Sequence, residues 1–415
     1  MNVNEKKLRY QKFLIISSYA SPAISGAPLM MYNLLKHFPE GSFVILTSHF
    51  GIDDRVIEKG NWLKAKYFFF DKPFLVPVSQ KENSFFQKLK SFLRKFPITN
   101  FFGQIFFFFY LPFNIVRRGK KIIQKENIEL LLGYSDYGPA LFSTYLLYKI
   151  TKKPFFLYFY DLYYGNKLPL VYRTLAYFLE PKLFESASKI FVISEALKDW
   201  YQKKYKREIF IIHNSIPIEK SEPVILMSHP ESYKIVFTGT IYWPQIDAIK
   251  NLIRAVEELK DINIQLWFYT PHDKTFLNHQ GIFESKKVIF AKGLPSEMPE
   301  IQRKADILFV PLGFKTKYPL LINTSSPGKT YEYLISGRPI LIHAPKGSYL
   351  VEYAREHNFA LVVEEEDVEK LKEAIKKLIF DKELVSQLVG NAWDTAISNH
   401  DAKKNSEFFQ SFFIK

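Results

Sequence analysis

The chain contains no cysteine. Disulfides, zinc–thiolate sites, iron–sulfur clusters and a cysteine nucleophile are excluded together, and a reducing compartment is expected. Long apolar runs are also missing at the start: in MNVNEKKLRYQKFLIISSYA the apolar stretch before the serines is too short for a signal peptide or a membrane span. A cytoplasmic protein is expected. Acid is scarce in one half only. Residues 1–221 hold 33 basic and 17 acidic side chains, a net of +16, whereas residues 222–415 hold 24 and 25, a net of −1. An anionic partner should therefore meet the first half. The 415 residues, at roughly 150 per domain, make two or three domains. A content of 47% hydrophobic and 24% charged residues excludes a wholly disordered chain.

The imbalance is sharpest over 81–125, with ten basic residues, one acid (Glu82) and twelve aromatics. Ser84 to Gln87 reads as a capping box, after which Phe85, Phe86, Leu89, Phe92, Leu93 and Phe96 fall on one helical face, flanked by Lys88, Lys90, Arg94 and Lys95. The uncharged, Phe-rich run 101–116 follows and ends in Arg117, Arg118, Lys120 and Lys121. It falls short of the roughly 20 residues needed to span a bilayer. A basic helix with an apolar face can lie in the interface of an anionic membrane, and 84–96 is expected to do so through Phe85, Lys88, Phe92, Arg94 and Lys95, with Arg117 and Arg118 beyond. For 101–116 a core-facing helix remains equally open. The aromatics form a stripe rather than isolated stacking platforms, so nucleic acid is not expected.

Short strand-like runs alternate with helical patterns along the whole chain. In the first half they are 13–17, 43–46, 67–70, 130–133, 155–160, 190–193 and 209–212; in the second, 234–238, 262–269, 287–290, 307–310, 340–342 and 361–363. The alternation predicts parallel sheets covered on both faces, hence two Rossmann-like α/β domains. Their boundaries are expected at 1–216 and 233–398, with a proline-containing linker at 217–232 and a final segment 399–415. That segment carries Phe408, Phe409, Phe412 and Phe413, too apolar to hang free, and is expected to form a helix returning to the first domain.

Two turns carry chemistry. The stretch Thr324 to Leu341, TSSPGKTYEYLISGRPIL, opens a short helix after Ser-Pro-Gly. Amides near Gly328, Lys329 and Thr330 then lie at the positive helix end, and the Lys329 ammonium suits a phosphate. Glu332 stands one turn later, where its carboxylate can accept from two ribose hydroxyls. An ordinary helix start with an exposed Lys–Glu pair is the competing reading. The second turn, Ser25-Gly26-Ala27-Pro28, follows the first strand and lets backbone approach a phosphate or sugar. It is not a GxGxxG turn, and no acid ends the second strand, which speaks against a nicotinamide cofactor. His213, before a domain hinge, is expected to be structural, whereas at Asp161 a turn role and an acceptor contact are equally open, and Glu364 to Asp367 precede a helix start that they complement electrostatically.

Together these motifs resemble the GT-B glycosyltransferases, specifically glycosyltransferase family 4 of the bacterial cell-surface polysaccharide type. Gly26-Ala27-Pro28 is similar to the first glycine loop, Tyr160-Asp161-Leu162 to the His-Asp segment, and Phe191 to Glu195 to the "valine-serine" strand end. Ile212 to Pro217 is similar to the hinge segment, Val236 to Thr240 to the glycine turn opening the donor domain, and Gly293-Leu294-Pro295 to the loop beside the base. Lys329 to Pro339 resembles the donor signature. Three positions depart: Thr324 stands where the first of two glutamates is usual, Ile241-Tyr242-Trp243-Pro244 replaces the usual Arg and Lys, and Tyr160 replaces His.

The resemblance implies two Rossmann-like domains facing across a deep cleft and a retaining, metal-independent transfer from a nucleotide-diphosphate sugar, with no cofactor. The donor would meet Gly26, Gly239, Thr240, Gly293, Leu294, Ser326, Gly328, Lys329, Thr330 and Glu332. The acceptor, a glycan expected to be carried on a membrane lipid in surface polysaccharide assembly, would meet Ser25, Gly26, Ala27, Asp136, Tyr137, Tyr160 and Asp161. Asp161, Lys329 and Glu332 would carry the chemistry, on the inner face of the membrane. A nucleotide-sugar 2-epimerase of the same fold and a non-catalytic nucleotide-binding scaffold are the alternatives.

Overall fold

A computed structural model describes residues 9–20, 26–48, 62–70, 97–136, 138–218 and 232–415, with side chains omitted over 97–109. The chain divides into two compact units, residues 1–212 with 406–415, and residues 213–405.

The first unit runs β1 (Phe13–Ile16), α1 (Gly26–Leu35), β2 (Phe43–Thr47), β3 (Lys66–Phe69), α2 (Pro97–Lys125), β4 (Leu130–Tyr134), α3 (Pro139–Thr151), β5 (Phe155–Phe159), α4 (Leu170–Ser186), β6 (Lys189–Val192), α5 (Glu195–Tyr205) and β7 (Phe210–Ile211). Among the described residues its seven strands are all parallel, in the order β3-β2-β1-β4-β5-β6-β7. In β1 every residue from Phe13 to Ile16 is buried. A parallel strand with helices on both faces needs this, and its continuous apolar run is what made it readable.

The second unit runs β8 (Tyr233–Thr238), α6 (Ile246–Glu258), β9 (Ile264–Tyr269), α7 (Lys274–His279), β10 (Val288–Ala291), α8 (Met298–Arg303), β11 (Ile307–Pro311), α9 (Pro319–Asn323), α10 (Gly328–Leu334), β12 (Ile340–His343), α11 (Tyr349–His357), β13 (Leu361–Val363), α12 (Val368–Phe380), α13 (Lys382–Thr395) and the start of α14 (Ala402–Ser411). Six parallel strands are ordered β10-β9-β8-β11-β12-β13. The strand order reverses between β1 and β4 in one sheet and between β8 and β11 in the other. Ligands of such sheets bind beyond the carboxyl ends of the strands at these points.

The last ten residues belong to the first unit. Phe413 is fully buried, its ring centroid 4.3 Å from Phe13, 5.6 Å from Phe38 and 5.2 Å from Phe156. Phe409 packs 4.8 Å from Phe191. These separations are those of attractive aromatic pairs, and they bring α14 back to the first sheet as its apolar composition required.

Other expectations fall differently. The segment read at 84–96 lies outside the described residues, and the run 101–116 falls within one longer helix, α2, which is unbroken from Pro97 to Lys125 through Pro112. Ile115, Ile122 and Ile123 on it are buried, whereas Phe113 is 65% exposed. Its carboxyl half is thus a core-packed helix with an exposed basic face. Arg117 is exposed, but the half-buried Arg118 donates to Phe69 O and is committed to the fold. Phe85, Lys88, Phe92, Arg94 and Lys95 lie outside the described residues. Asp367 caps α12 by accepting from the amides of Glu369 (2.9 Å) and Lys370 (3.2 Å), as its position before a helix start predicts. Ser194, at the end of β6, likewise caps α5.

Candidate functional site

In the second unit, β8 ends at Thr238 and the chain turns at Gly239, whose φ of +105° is one that L side chains rarely adopt. A Cβ there would also come within 3.7 Å of Lys329 Cε and 3.8 Å of Nζ. Gly239 and Thr240 are exposed, so the turn is open to approach.

Lys329 and Glu332 come from α10, which starts where Ser-Pro-Gly releases the chain into a helix. Lys329 Nζ is buried without a hydrogen-bond partner, 3.5 Å from the centroid of the Phe237 ring. Burial outweighs the attraction of Glu332 and pulls its amine down to about 7. Burial also raises the Glu332 carboxyl, against a hydrogen bond from Gln302 and the nearby Lys329. Both groups are driven toward their neutral forms. An anion would restore the charge on one, and hydroxyl donors would satisfy the other.

Three residues missed in the sequence complete the cluster. Gln302, 3% exposed on α8, places Nε2 3.3 Å from Glu332 Oε2 and 3.3 Å from Thr238 Oγ1. Tyr333 Oη accepts from the Thr238 amide at 2.9 Å and lies 3.0 Å from Thr238 Oγ1. The only signal was an uncharged polar residue inside a short helix some thirty positions before Glu332.

The remaining donor expectations fall around this cluster in different ways. Ser326 is buried, its hydroxyl against the Tyr331 hydroxyl and its carbonyl 3.5 Å from Asn214 Nδ2. The Thr330 amide donates to Pro327 O at 3.0 Å, so it does not point outward as the helix-start argument supposed; Gly328 and Lys329 supply the leading amides. Gly293 neighbours Tyr269, whose carbonyl in turn accepts the Gly239 amide at 2.8 Å. Leu294 is half-exposed, but its amide is taken by Glu297 Oε2 at 2.7 Å. Thr324 returns its hydroxyl to Leu320 O at 3.0 Å and offers no charge. His213 packs its ring 5.2 Å from His400, a structural position.

The acceptor expectations belong to the first unit. Asp136 Oδ1 accepts from the Gly138 amide at 2.7 Å, while Oδ2 accepts from the Ala140 amide at 3.0 Å and from Ser18 Oγ. Its oxygens are occupied in holding the turn into α3. The Tyr160 ring is buried against Tyr134 (5.6 Å) and Tyr158 (4.9 Å), in the core rather than at a surface. Asp161 behaves otherwise. Its side chain reaches solvent, yet the surrounding protein desolvates its carboxyl and pushes it up to about 7. Gly26 and Ala27 open α1, with nothing of the described chain within 4 Å of where a Cβ on Gly26 would stand. Ser25 and Tyr137 lie outside the described residues.

Two parallel α/β sheets with flanking helices, their ligand ends carrying glycine turns, define the GT-B architecture. Residues 232–381 match the family model described as Glycosyl transferases group 1, a span that contains the whole Thr238–Gln302–Lys329–Glu332–Tyr333 cluster. Among solved structures, the chain is similar to a sucrose-phosphate synthase from Thermosynechococcus elongatus (14% identity, TM-score 0.67, 97% of this chain and 98% of that one). It is also similar to HepE of Anabaena in complex with UDP-glucose (12%, 0.64, 97% and 99%), and to a UDP-N-acetylglucosamine 2-epimerase (15%, 0.56, 96% and 94%). At such identities the likeness establishes the fold. No curated protein matches the chain in sequence.

Proposed function

We propose that the protein is a retaining, metal-independent glycosyltransferase of family 4 that moves a sugar from a nucleotide-diphosphate donor to a lipid-linked glycan acceptor in cell-surface polysaccharide synthesis. The observation that carries this reading is the buried, unpartnered Lys329 ammonium beside Glu332 and the open Gly239 turn. The structure of HepE with UDP-glucose lends the donor class its support. Glu332 accepts from the ribose hydroxyls, and Lys329 with the first amides of α10 faces the diphosphate. As the bond from the sugar's anomeric carbon to the diphosphate oxygen breaks, its electron pair stays on that oxygen, where the Lys329 charge stabilises it. The acceptor hydroxyl then bonds the same face of the sugar and yields its proton to the departing oxygen. Asp161 stands on the acceptor side.

Thermal unfolding with UDP, GDP, ADP and TDP, without metal, tests the donor site. A ligand at a hundredfold excess over Kd stabilises by about 2.7 kcal/mol. One base is expected to raise the melting temperature of the wild type, and Glu332→Ala to abolish the rise. No rise with any of them overturns the donor site. The likeness to a 2-epimerase supports a second reading; sugar inversion without any acceptor would establish it, and nucleotide binding without turnover would leave a scaffold.

Membrane attachment is part of the proposal. Among the described residues no helix is long and apolar enough to cross a membrane. Phe113 on α2 and Leu170, Tyr177 and Phe178 on α4 are 57–67% exposed, and Arg117, Lys120, Arg173 and Lys182 are exposed on the same two helices. Apolar and cationic groups of this kind suit an anionic lipid surface, each basic side chain contributing about 1 kcal/mol near it. Phe178→Glu with Arg117→Glu should cut cosedimentation with phosphatidylglycerol-containing vesicles roughly tenfold or more while nucleotide binding persists. Equal sedimentation of variant and wild type would remove these helices from the membrane contact.

A further inference from the structure

Gln302 is the residue that ties the second unit's cluster together, and no catalytic or binding role assigned so far uses it. It is 3% exposed, so its amide must find partners inside the protein. Nε2 lies at 3.3 Å from both Glu332 Oε2 and Thr238 Oγ1. Thr238 is independently held by Tyr333, through its amide at 2.9 Å and its hydroxyl at 3.0 Å. Loss of Gln302 therefore leaves Thr238 satisfied and strips Glu332 of its side-chain donor. With Oε2 engaged by Gln302, Oε1 remains to meet a ligand.

We propose that Gln302 is a positioning residue that fixes the Glu332 carboxylate so that one oxygen faces the ribose diol of the nucleotide, and thereby sets the preference for ribo- over deoxyribonucleotides. The inference rests on the donor site proposed above. A carboxylate held by one amide donor loses its freedom to rotate away from the diol, and its ionised form, the better acceptor, is favoured by that same bond. A hydrogen bond to a charged group contributes about 1.5–3 kcal/mol, or roughly a ten- to hundredfold preference in affinity.

The test is equilibrium binding of ADP, GDP and UDP, each beside its 2′-deoxy counterpart, to the full chain carrying Gln302→Met or Gln302→Glu. Methionine keeps the length of the side chain and removes the donor. Glutamate keeps size and polar atoms, so it provides a folded protein should the methionine variant unfold; at pH 8 it sets a second carboxylate against Glu332. The wild type is expected to prefer the ribonucleotide by about tenfold or more. Both variants should reduce that preference to about threefold or less while affinity for the deoxynucleotide changes by no more than about twofold. A structural role would weaken both ligands equally and leave the ratio intact, and that result overturns the proposal. A wild type that binds nucleotides without distinguishing ribose from deoxyribose overturns it too, by removing the Glu332–ribose contact. A wild type that binds none of the six overturns the donor-site reading itself, a distinct failure.

Discussion

Lys329→Met is expected to make the ligand-free protein more stable at pH 6.5 while strongly weakening nucleoside diphosphate binding. In the unfolded chain the amine titrates at its ordinary 10.5, and in the folded protein at about 7. Between these values the unfolded state holds more protons, so wild-type stability rises with pH across that window. The penalty for burying the charge is complete below about pH 7 and fades toward pH 10.5. Its size is on the order of 3–5 kcal/mol, that of an uncompensated buried charge. Methionine fills a similar volume against Phe237 without the charge. The melting temperature of the second unit should rise by about 5 °C or more at pH 6.5, and the difference should shrink by pH 9.5. Nucleoside diphosphate affinity should fall more than about thirtyfold, the loss expected for one buried charge partner. A melting difference of the same size at both pH values would refute the account. The site stores instability in order to bind, a trade recurrent where function requires a destabilised group.

The largest loss of stability is expected in the first unit, at Glu180. This carboxylate on α4 is 1% exposed and accepts from the Tyr164 amide (2.9 Å), Lys204 Nζ (2.7 Å) and the Tyr205 hydroxyl (2.7 Å), with the Tyr201 hydroxyl at 3.5 Å. It joins α4 to α5 and to the loop after β5. Glu180→Ala leaves a cavity and orphans three donors at once, for a cost of about 3–5 kcal/mol. Glu180→Gln keeps the volume and one acceptor and should cost about half as much. Urea unfolding checks this: a midpoint shift at unchanged slope is the expected result, and a cost of about 1 kcal/mol or less for alanine would show that the network is incidental.

How far the sequence could be read follows from the range of each signal. The strands were legible one by one because a parallel strand buried on both faces needs an uninterrupted run such as Phe13 to Ile16 or Ile307 to Pro311. Turn chemistry was legible for the same reason: Ser-Pro-Gly before Lys329 and the glycine at 239 are local instructions. Helix α2 was legible in part: the run 101–116 lies within it, but its extent from Pro97 to Lys125 was not, since Pro112 sits inside it, where proline is locally unfavourable. That Asp136 holds its own turn and that the Tyr160 ring is buried was not legible, because neighbouring positions do not say whether a side chain faces the core or the ligand side.

By itself, then, the sequence determined the two α/β domains, the return of the phenylalanine-rich tail and the placing of Lys329 and Glu332 one turn apart on a short helix. All of these depend on residues a few positions apart or on composition. Only the tertiary structure decided that Lys329 lies buried over Phe237, that Glu332 shares Gln302 with Thr238, and that Asp136 is spent on its own turn. These depend on which side chains from separate strands and helices are desolvated together. Burial sets the protonation of each group, and burial is a property of the packed chain.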